Sequence, residues 1–405
     1  MKRGVNYLLI ARGFSEFALA MYTITLPLII LQLTGSLAKS GYFFALITLP
    51  SLLGMPFVGP LVERVSRQQM IQICLLLLFT LFGGQLILYH FNLMQLVLLT
   101  LIAMVITLIS AVSDIATRVI FSELVPATEL ERYNGLKSLI DNICTFAAPM
   151  LGTFIYGLWG SQYVVGLISI LLLLALWFVT QMAYTRKITP TQRTETSFGA
   201  NLKAGITYIK TQKTILRLFL LAMVLNFFVA ATDEIINPGI IVAKYGISKQ
   251  LFGFSATAFI TGVILASWLI SRRPKIDLHA KLAQLFVINS LIMILIGLSS
   301  LLLIHQPWQL FYGVFLGLEA LLGFCTILIN IPLTAYFQAH VPLGYQGRFF
   351  AFFVFTAKLA VPLGMAYTGQ LSQKMGPDST YILNNVMVIL IVLIVFHKNK
   401  AKPDT

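Results

Sequence analysis

The sequence predicts an all-α polytopic membrane protein with about 12 transmembrane helices in two repeated six-helix bundles. Composition is the first observation: the 405 residues are 58% hydrophobic and 10% charged, with a mean hydropathy of +0.88. Second, apolar runs of membrane-spanning length follow one another along the chain, and most charges lie at their ends. Third, the sequence lacks the strict alternation of a spanning β-strand, so the spans are helical.

Each predicted span is an apolar stretch of roughly 20 residues or more, because that length crosses the hydrocarbon core at about 1.5 Å per residue. Span 1 is too long for a cleaved signal peptide and does not end like one, so we expect it to remain as a helix. The spans, numbered 1 to 12 in chain order, are 5–33, 41–60, 71–90, 94–121, 136–159, 163–184, 215–243, 250–270, 282–304, 309–335, 348–371 and 379–397.

A polar stretch at 185–213 separates the first six spans from the last six. We therefore predict an N-terminal bundle at 1–184, a central cytoplasmic loop at 185–213, and a C-terminal bundle with a short cytoplasmic tail at 214–405. The Thr, Arg and Pro residues of 185–197 are typical of a linker. Apolar residues at helical spacing in 199–213, with lysines on the other face, predict a short helix on the membrane surface.

The net charge of +14 does not indicate a nucleic-acid partner. With the N-terminus inside, the inner side of the membrane carries about 21 Lys and Arg and the outer side about 4, which is the bias of the positive-inside rule. We therefore expect a multi-pass protein of the cell (inner) membrane with both termini in the cytoplasm. The basic residues at the inner side would contact anionic lipids.

No cofactor or metal is expected. Cys74, Cys144 and Cys325 all lie in apolar spans, which argues against a disulfide framework and a zinc site. The five histidines lie in loops or at span ends without metal-ligand spacing. The sequence contains no Walker motif and no Gly-rich dinucleotide loop, so ATP-driven transport by this chain alone is not expected.

Three sequence matches relate the two halves of the chain. The paired segments are 36–42 with 248–254, 125–133 with 341–349, and 147–152 with 360–364. Duplicated halves in the same orientation suit a transporter in which one half rocks against the other around a central site.

The segment between spans 2 and 3 resembles the signature loop of the major facilitator superfamily, Gly-x-x-x-Asp-Arg-x-Gly-Arg-Arg. Gly59, Arg64 and Arg67 match that pattern, Glu63 stands in place of the Asp, and a serine replaces the second Gly. The resemblance implies the major facilitator fold. It also implies that these four residues belong to a charge cluster that holds the inner gate.

Most of the chain resembles the macrolide-efflux and enterobactin-exporter branch of drug:proton antiporters. That likeness is carried by segments 26–36, 123–126 and 337–348. Pro149 and Gly152 of span 5 lie in a sequence similar to the antiporter motif Gly-Pro-x-x-Gly-Gly, where small residues permit close helix packing and a bend. The resemblance implies proton-coupled export of a small molecule.

Glu16 is the sharpest candidate for proton exchange. It lies about 11 residues into span 1, roughly 16 Å deep and close to the bilayer midplane. A carboxylate at that depth faces a cavity or a partner, and an intramembrane charge is a functional candidate by default. The alternative is a purely structural ion pair with Arg12, one turn away. Arg12 is also a candidate for the wall of the substrate cavity.

Asp233 and Glu234 are adjacent in span 7, the counterpart of span 1. Neighbours on a helix point about 100° apart, so at most one readily faces a central cavity. Two acidic groups so close disfavour a double negative charge, which favours a site that binds a proton. The alternative is that both lie near the outer end of the span, beside Asn237, and are simply hydrated.

Glu319 of span 10 and Lys358 of span 11 lie at similar mid-membrane depths. An ion pair between them would satisfy both charges, either as a gate or as a structural contact. The alternative is that Lys358 attracts an anionic substrate.

Asp114 and Arg118 lie one turn apart towards the inner end of span 4, and Asp141 lies a few residues into span 5 from the same side. Depth alone places all three near Glu63 and Arg64, in the cluster of the inner gate. Local pairs at helix ends are the alternative.

Tyr22, Phe227, Phe228 and Phe324 are aromatic residues of spans 1, 7 and 10 that could line an apolar cavity for an amphiphilic ligand. For each of them, ordinary packing is the alternative.

These observations predict a proton-coupled exporter that works by alternating access and is not an enzyme. Its partners would be a moderately hydrophobic small molecule, such as a macrolide or another drug, together with protons and membrane lipids, and we expect a monomer. Within transport, the alternative is a nutrient facilitator or symporter. From a different class, it is a membrane-embedded enzyme or lipid scaffold, for which the sequence offers no catalytic constellation at one depth.

Overall fold

The computed structural model of the chain describes residues 2–64, 66–125, 129–182, 184, 213–272, 281–340 and 343–397. Within these ranges it contains helices and no β-strand, so the prediction of an all-α protein is confirmed. The α-helices of the described residues are α1 (Lys2–Thr34), α2 (Leu37–Arg64), α3 (Arg67–His90), α4 (Leu96–Leu124), α5 (Leu130–Trp159), α6 (Ser161–Thr180), α7 (Lys213–Val229), α8 (Lys249–Arg272), α9 (Leu282–Leu302), α10 (Trp308–His340), α11 (Leu343–Met375) and α12 (Pro377–His397).

The described helices have the length and composition of membrane spans. Eleven stretches are long and apolar enough to cross a bilayer, and they fall in every helix except α11, part of whose side chains lie outside the described set. Large apolar side chains also cover the outside of the bundle; Val97 is 69% exposed and Leu302 is 75% exposed. Such a surface suits contact with lipid, and the chain is a multi-pass membrane protein.

Two compact units make up the chain. The first unit contains Met1–Gly35, Leu46–Arg193 and Ser248–Gly253, and the second unit contains Ser36–Ala45, Thr194–Ile247 and Phe254–Thr405. The surface helix that the sequence predicts at 199–213 lies outside the described residues except for Lys213, where α7 begins.

The same helix pairings recur in both units. In the first unit α1 packs against α5 and α6, and α3 packs against α4 and α6. In the second unit α7 packs against α11 and α12, and α9 packs against α10 and α12. Each pairing of the second unit therefore joins helices six places further along the chain than its counterpart, as expected for a duplicated bundle.

Two short segments do not belong to the unit that a division of the chain at the central loop would give them. Residues 36–45 belong to the second unit, where a Cβ added to Gly41 would lie 2.5 Å from the carbonyl oxygen of Met365. Residues 248–253 belong to the first unit, where the N–H of Gly253 donates to Thr153 Oγ1 at 3.1 Å. Close backbone packing at glycine accounts for both groupings.

The seventh span is not one continuous α-helix. After α7 ends, the chain forms two π-helical segments at Thr232–Ile236 and Gly239–Lys244. The wider turns are visible in the bond from Ile236 N to the carbonyl oxygen of Ala231 (3.2 Å), which links residues five apart. Pro238 lies between the two segments and has no N–H to donate, which favours an interruption there. The sequence predicts a plain span at 215–243 and misses this interruption.

Candidate functional site

A cluster of charges in the first unit is centred on Arg12 of α1, whose side chain is 8% exposed. Its guanidinium donates to Asp141 of α5 from Nε at 2.8 Å and from Nη2 at 3.2 Å. Arg12 also pairs with Asp114 of α4 at 3.4 Å and with Glu16, one turn along α1, at 3.2 Å. A planar guanidinium matches a carboxylate through two parallel bonds, so Asp141 is its principal partner.

Two further cations complete this group, which we call the Arg12 cluster. Arg118 Nε lies 2.9 Å from Asp114 Oδ2, and Lys137 Nζ lies 3.6 Å from Asp141 Oδ2. Together with Arg12, three cations face three carboxylates. The cluster is therefore balanced in charge, and its centre stays positive because a guanidinium does not deprotonate in proteins.

The Arg12 cluster gives the observed partners of several candidate residues. Asp114, Arg118 and Asp141 form ion pairs with Arg12, with Lys137 and with one another. Their predicted neighbours Glu63 and Arg64 have side chains outside the described set, so that part of the gate cluster stays a prediction. Arg12, expected on a cavity wall, is the buried centre of the cluster. Depth predicts which groups share a level of the membrane but not the direction in which each side chain points.

The inner-gate motif is only partly described. Gly59 lies within the range of α2, but the side chains of Glu63 and Arg64 lie outside the described set. Arg67 opens α3, and its Nε lies 3.4 Å from Glu123 Oε1 near the end of α4. This ion pair connects α3 to α4 and is separate from the Arg12 cluster.

The contacts of Glu16 are compatible both with proton exchange and with a structural ion pair. The intrahelical pair with Arg12 that a structural role requires is present, at 3.2 Å. The Glu16 side chain is nevertheless 36% exposed, so its carboxylate remains accessible.

A second group of polar side chains lies in the second unit and is bridged by Asn237. The Nδ2 of this fully buried amide donates to Asp233 Oδ1 and to Glu319 Oε1, both at 3.1 Å. Because both oxygens accept from one nitrogen, they lie no more than about 6 Å apart. Glu319 is 2% exposed, whereas Asp233 is exposed. The interrupted part of the seventh span supplies Asp233 and Asn237, and α10 supplies Glu319.

No lysine or arginine of the described residues forms an ion pair with Asp233 or Glu319. The expected pair between Glu319 and Lys358 is not formed, since Glu319 bonds to Asn237 and the Lys358 side chain is exposed. The prediction assumed that two residues at a similar depth on neighbouring helices face each other. In the structure their side chains point to different surroundings. Within the described part of the second unit, these two carboxylates therefore have no fixed counter-charge.

The two carboxylates lie on the wall of a cavity of about 310 Å³ within the second unit. Its polar lining consists of Asn226, Thr232, Asp233, Asn289, Glu319, Thr326 and Asn330. Phe259 of α8 and Phe286 of α9 contribute aromatic rings to the remaining, mostly apolar wall. Of the two adjacent acids of the seventh span, Asp233 lines this cavity; Glu234 is half-buried and is not part of its lining.

The four aromatic residues that the sequence offers as cavity lining lie elsewhere. Tyr22 is buried, meets Phe82 edge-on at a centroid distance of 4.9 Å, and accepts a hydrogen bond from Gln85 at 3.2 Å. Phe227 and Phe228 pack against one another at 5.0 Å. These contacts favour the packing interpretation.

Phe324 is half-buried and is not among the residues that line the cavity of the second unit. Gly152 of the span 5 motif lies against Met21 of α1, where an added Cβ would be 3.2 Å from Met21 Cα. Pro149 lies one turn before it, inside α5. The close helix packing expected for this motif is therefore a feature of the first unit.

The sequence contains a signal for the cavity in its amide side chains. Six asparagines of the second half lie within strongly apolar stretches: Asn226, Asn237, Asn289, Asn330, Asn384 and Asn385. Burying an amide in a span is unfavourable unless it is hydrogen-bonded or faces a polar cavity, so six such residues in one half indicate a polar interior. Asn226, Asn289 and Asn330 line the cavity, and Asn237 bridges its carboxylates. Among the described residues, no three His, Cys, Asp or Glu side chains are placed to hold a metal ion.

Comparison with known proteins gives one family and several distant relatives. A family model described as Major Facilitator Superfamily matches residues 8–365. Macrolide efflux protein A of Streptococcus pyogenes is 20% identical over 398 residues, which are 94% of this chain and 96% of that protein.

Solved structures with a similar fold include a bacterial homologue of the iron transporter ferroportin in its inward-facing state, with a TM-score of 0.78 at 14% identity over 99% of this chain and 100% of that one. The nucleoside transporter NupG has a TM-score of 0.75 at 11% identity over 99% of this chain and 100% of that one. At such identities the likeness concerns the fold alone.

Proposed function

Since this chain belongs to the major facilitator superfamily and is a membrane transporter, we propose that it is a proton-coupled antiporter that exports a moderately hydrophobic small molecule by alternating access. Proton exchange is assigned to Glu16 in the first unit and to Asp233 in the second, with Glu234 as the neighbouring alternative. The substrate leaves as a proton enters, because one cavity disfavours holding both.

The main support for proton coupling comes from the two carboxylates of the second unit, Asp233 and Glu319. Asp233 and Glu319 share the donor of Asn237, and no lysine or arginine of the described residues pairs with either of them. A carboxylate inside a span needs compensation, and without a fixed cation that compensation is a proton or a bound cation. Such a pair responds to the proton gradient because its charge changes when a proton binds.

Glu16 is suited to exchange a proton for a different reason. Arg12 makes a two-point contact with Asp141 and a single contact with Glu16, so Glu16 is the less firmly held carboxylate. When Glu16 takes up a proton, Asp141 and Asp114 continue to compensate Arg12. Protonation therefore changes the accessible charge of the cluster without leaving its centre unpaired.

The inner gate is proposed from the family resemblance together with the Arg12 cluster. Gly59, Glu63, Arg64 and Arg67 belong to the gate by their match to the family motif. Asp114, Arg118 and Asp141 are proposed to act with them through the cluster, whose ion pairs can exchange partners as the gate opens.

The direction of transport is proposed from a relative. Macrolide efflux protein A is similar over nearly the whole chain, at 20% identity, which supports export and a drug-like substrate such as a macrolide. We propose a monomer in the cell (inner) membrane. Both termini are placed in the cytoplasm, because the basic residues concentrate on the side of the termini. Uptake of a nutrient is the competing proposal.

Efflux from cells that express the chain tests this function. The panel contains a macrolide and a cationic dye, each measured with and without a protonophore, beside Glu16→Gln and Asp233→Asn at matched membrane levels. We expect export that the protonophore abolishes and that both variants lose. Export that persists at full rate with the protonophore present would refute proton coupling, and uptake in place of export would favour the competing proposal.

A further inference from the structure

We propose that the cavity of the second unit binds a small organic cation, an amine or quaternary ammonium group on a short aromatic or apolar body, with Asp233 facing the ligand and Glu319 behind it. This inference rests on the proposed function where it takes the bound cation to be a transported substrate. It names the chemical class of that substrate.

The hydrogen bonds around the two carboxylates leave acceptors in excess. Asn237 Nδ2 is the donor to one oxygen of each carboxylate. The Oδ1 of the same fully buried amide has no hydrogen-bond partner. The buried hydroxyl of Tyr381 is a second donor near the two carboxylates. The acceptor oxygens still outnumber the donors of the described residues, and buried acceptors normally have a donor. A ligand that donates hydrogen bonds or carries positive charge would complete the group.

The accessibility of the two carboxylates differs in a way that suits a ligand. Asp233 is exposed on the cavity wall, whereas Glu319 is 2% exposed and is held by Asn237. A charge that reaches Asp233 therefore also meets the field of a second, immobile carboxylate no more than about 6 Å from the first. Among the described residues, Glu234 and the hydroxyl of Tyr381 on α12 are the other titratable groups within electrostatic reach of this pair.

The remaining wall of the cavity selects the body of the ligand. Phe259 and Phe286 provide aromatic rings, and Met293 and Leu322 provide aliphatic surface. Aromatic faces attract organic cations, and apolar walls retain their hydrocarbon groups. The volume of about 310 Å³ lies at the lower end of the range of roughly 300–1,000 Å³ for drug-sized ligands. Among the drug-like substrates of the proposed function, the volume of this site therefore favours a compact cation over a macrolide.

The experiment measures binding rather than transport. Full-length protein in lipid nanodiscs is titrated with benzyltrimethylammonium by calorimetry in a sodium-free buffer. Neopentylbenzene, which has the same shape without the charge, is the competitor, and sodium chloride is added in a separate titration. Asp233→Asn and Glu319→Gln each remove one charge while they keep the size and shape of the side chain, so one serves if the other fails to fold. Glu129→Gln, just before α5 in the other unit, is the matched carboxylate control.

We expect saturable binding of one benzyltrimethylammonium per chain that neopentylbenzene does not displace. Asp233→Asn and Glu319→Gln should each weaken it by about tenfold or more, because each removes one of the two negative charges that attract the ammonium group. Glu129→Gln should bind as the wild type does. Equal binding by all four proteins, displacement by neopentylbenzene, or complete displacement by millimolar sodium would overturn the inference.

These outcomes are independent of the transport assay. Cation binding that both cavity variants lose, in a protein that exports nothing, would support the site and count against the proposed function. Proton-coupled export without cation binding would support the proposed function and count against the cation site.

Discussion

Arg12 and Asp141 are 129 residues apart in the sequence and join α1 to α5 through two hydrogen bonds, Nε to Oδ1 at 2.8 Å and Nη2 to Oδ2 at 3.2 Å. The guanidinium is almost completely buried, and Asp114 and Glu16 contact it from other directions. One arginine therefore holds together three helices of the first unit, and Asp141 is the partner with the best geometry.

Replacing Asp141 by Asn should destabilise the first unit. The change removes the two-point contact but leaves Asp114 and Glu16 to compensate Arg12, so we expect a loss of about 1–3 kcal/mol in the free energy of unfolding. Thermal unfolding in detergent measures it. Asp114→Asn is the control and should have a smaller effect, because its contact with Arg12 is longer, 3.4 Å, and more exposed. An equal effect of the two changes would show that Asp141 is not the principal partner.

Replacing Asn237 by Leu should impair transport. The variant removes the donor shared by Asp233 and Glu319, and loss of a buried hydrogen bond to a charged group predicts a fall in transport of about tenfold or more. Asn385→Leu is the matched control, because Asn385 is equally buried and its Nδ2 bonds only to the carbonyl oxygen of Tyr381 in the same helix. A similar loss in both variants, at equal membrane levels, would point to a general packing defect.

Lys244 is a second site where stability is expected to depend on one charge. Its Nζ lies 2.8 Å from Asp378 Oδ2 and 2.9 Å from the carbonyl oxygen of Ser300. Lys244→Met leaves the buried Asp378 without its cation, and breaking such a pair typically costs about 3–5 kcal/mol. Thermal unfolding should show a large loss that Lys244→Met with Asp378→Asn partly restores. No restoration in the double variant would mean that the lysine acts mainly through Ser300.

Gly323 permits a close crossing of α10 and α8. A Cβ there would lie 2.0 Å from the carbonyl oxygen of Phe259, a residue of the cavity wall. Gly323→Ala should therefore separate the helices, with a loss of about 1–3 kcal/mol. Gly317→Ala, in the same helix, meets nothing within 4 Å and should be neutral or slightly stabilising. A stable Gly323→Ala variant would show that the crossing can relax without strain.

The sequence was informative where one-dimensional properties decide the structure. Span length and apolarity are set by the thickness of the bilayer, so the helices could be counted without any tertiary information. The duplicated segments likewise anticipated packing that recurs between the units. The pair of Arg12 and Glu16 followed from helical spacing alone, and the structure contains it at 3.2 Å.

Partners on different helices were harder to predict because they depend on rotation about each helix axis. Depth placed Glu319 and Lys358 at one level, but Glu319 turns towards Asn237 and Lys358 is exposed. For the same reason, the sequence did not show that amide side chains, rather than the aromatic residues named above, line the cavity. In the seventh span only Pro238 signalled the interruption, and a proline by itself does not distinguish a kink from π-helical turns.

The π-helical turns after α7 also make this stretch sensitive to changes in chain length. A π-helical turn holds one residue more than the α-helical turn it replaces, so deleting a single residue between 232 and 236 would let the backbone return to regular α-helical bonds. The residues on both sides would keep nearly their present directions, because the deletion removes the extra residue of the wider turn. Only the side chains within the turn would be redirected: with Ile235 deleted, Asp233 and Asn237 would lie three residues apart instead of four. Such a protein would insert and fold, yet the bond from Asn237 to Asp233, and with it the bridge to Glu319, would be disturbed. Length variants of this stretch would thus separate insertion into the membrane from the chemistry of the cavity.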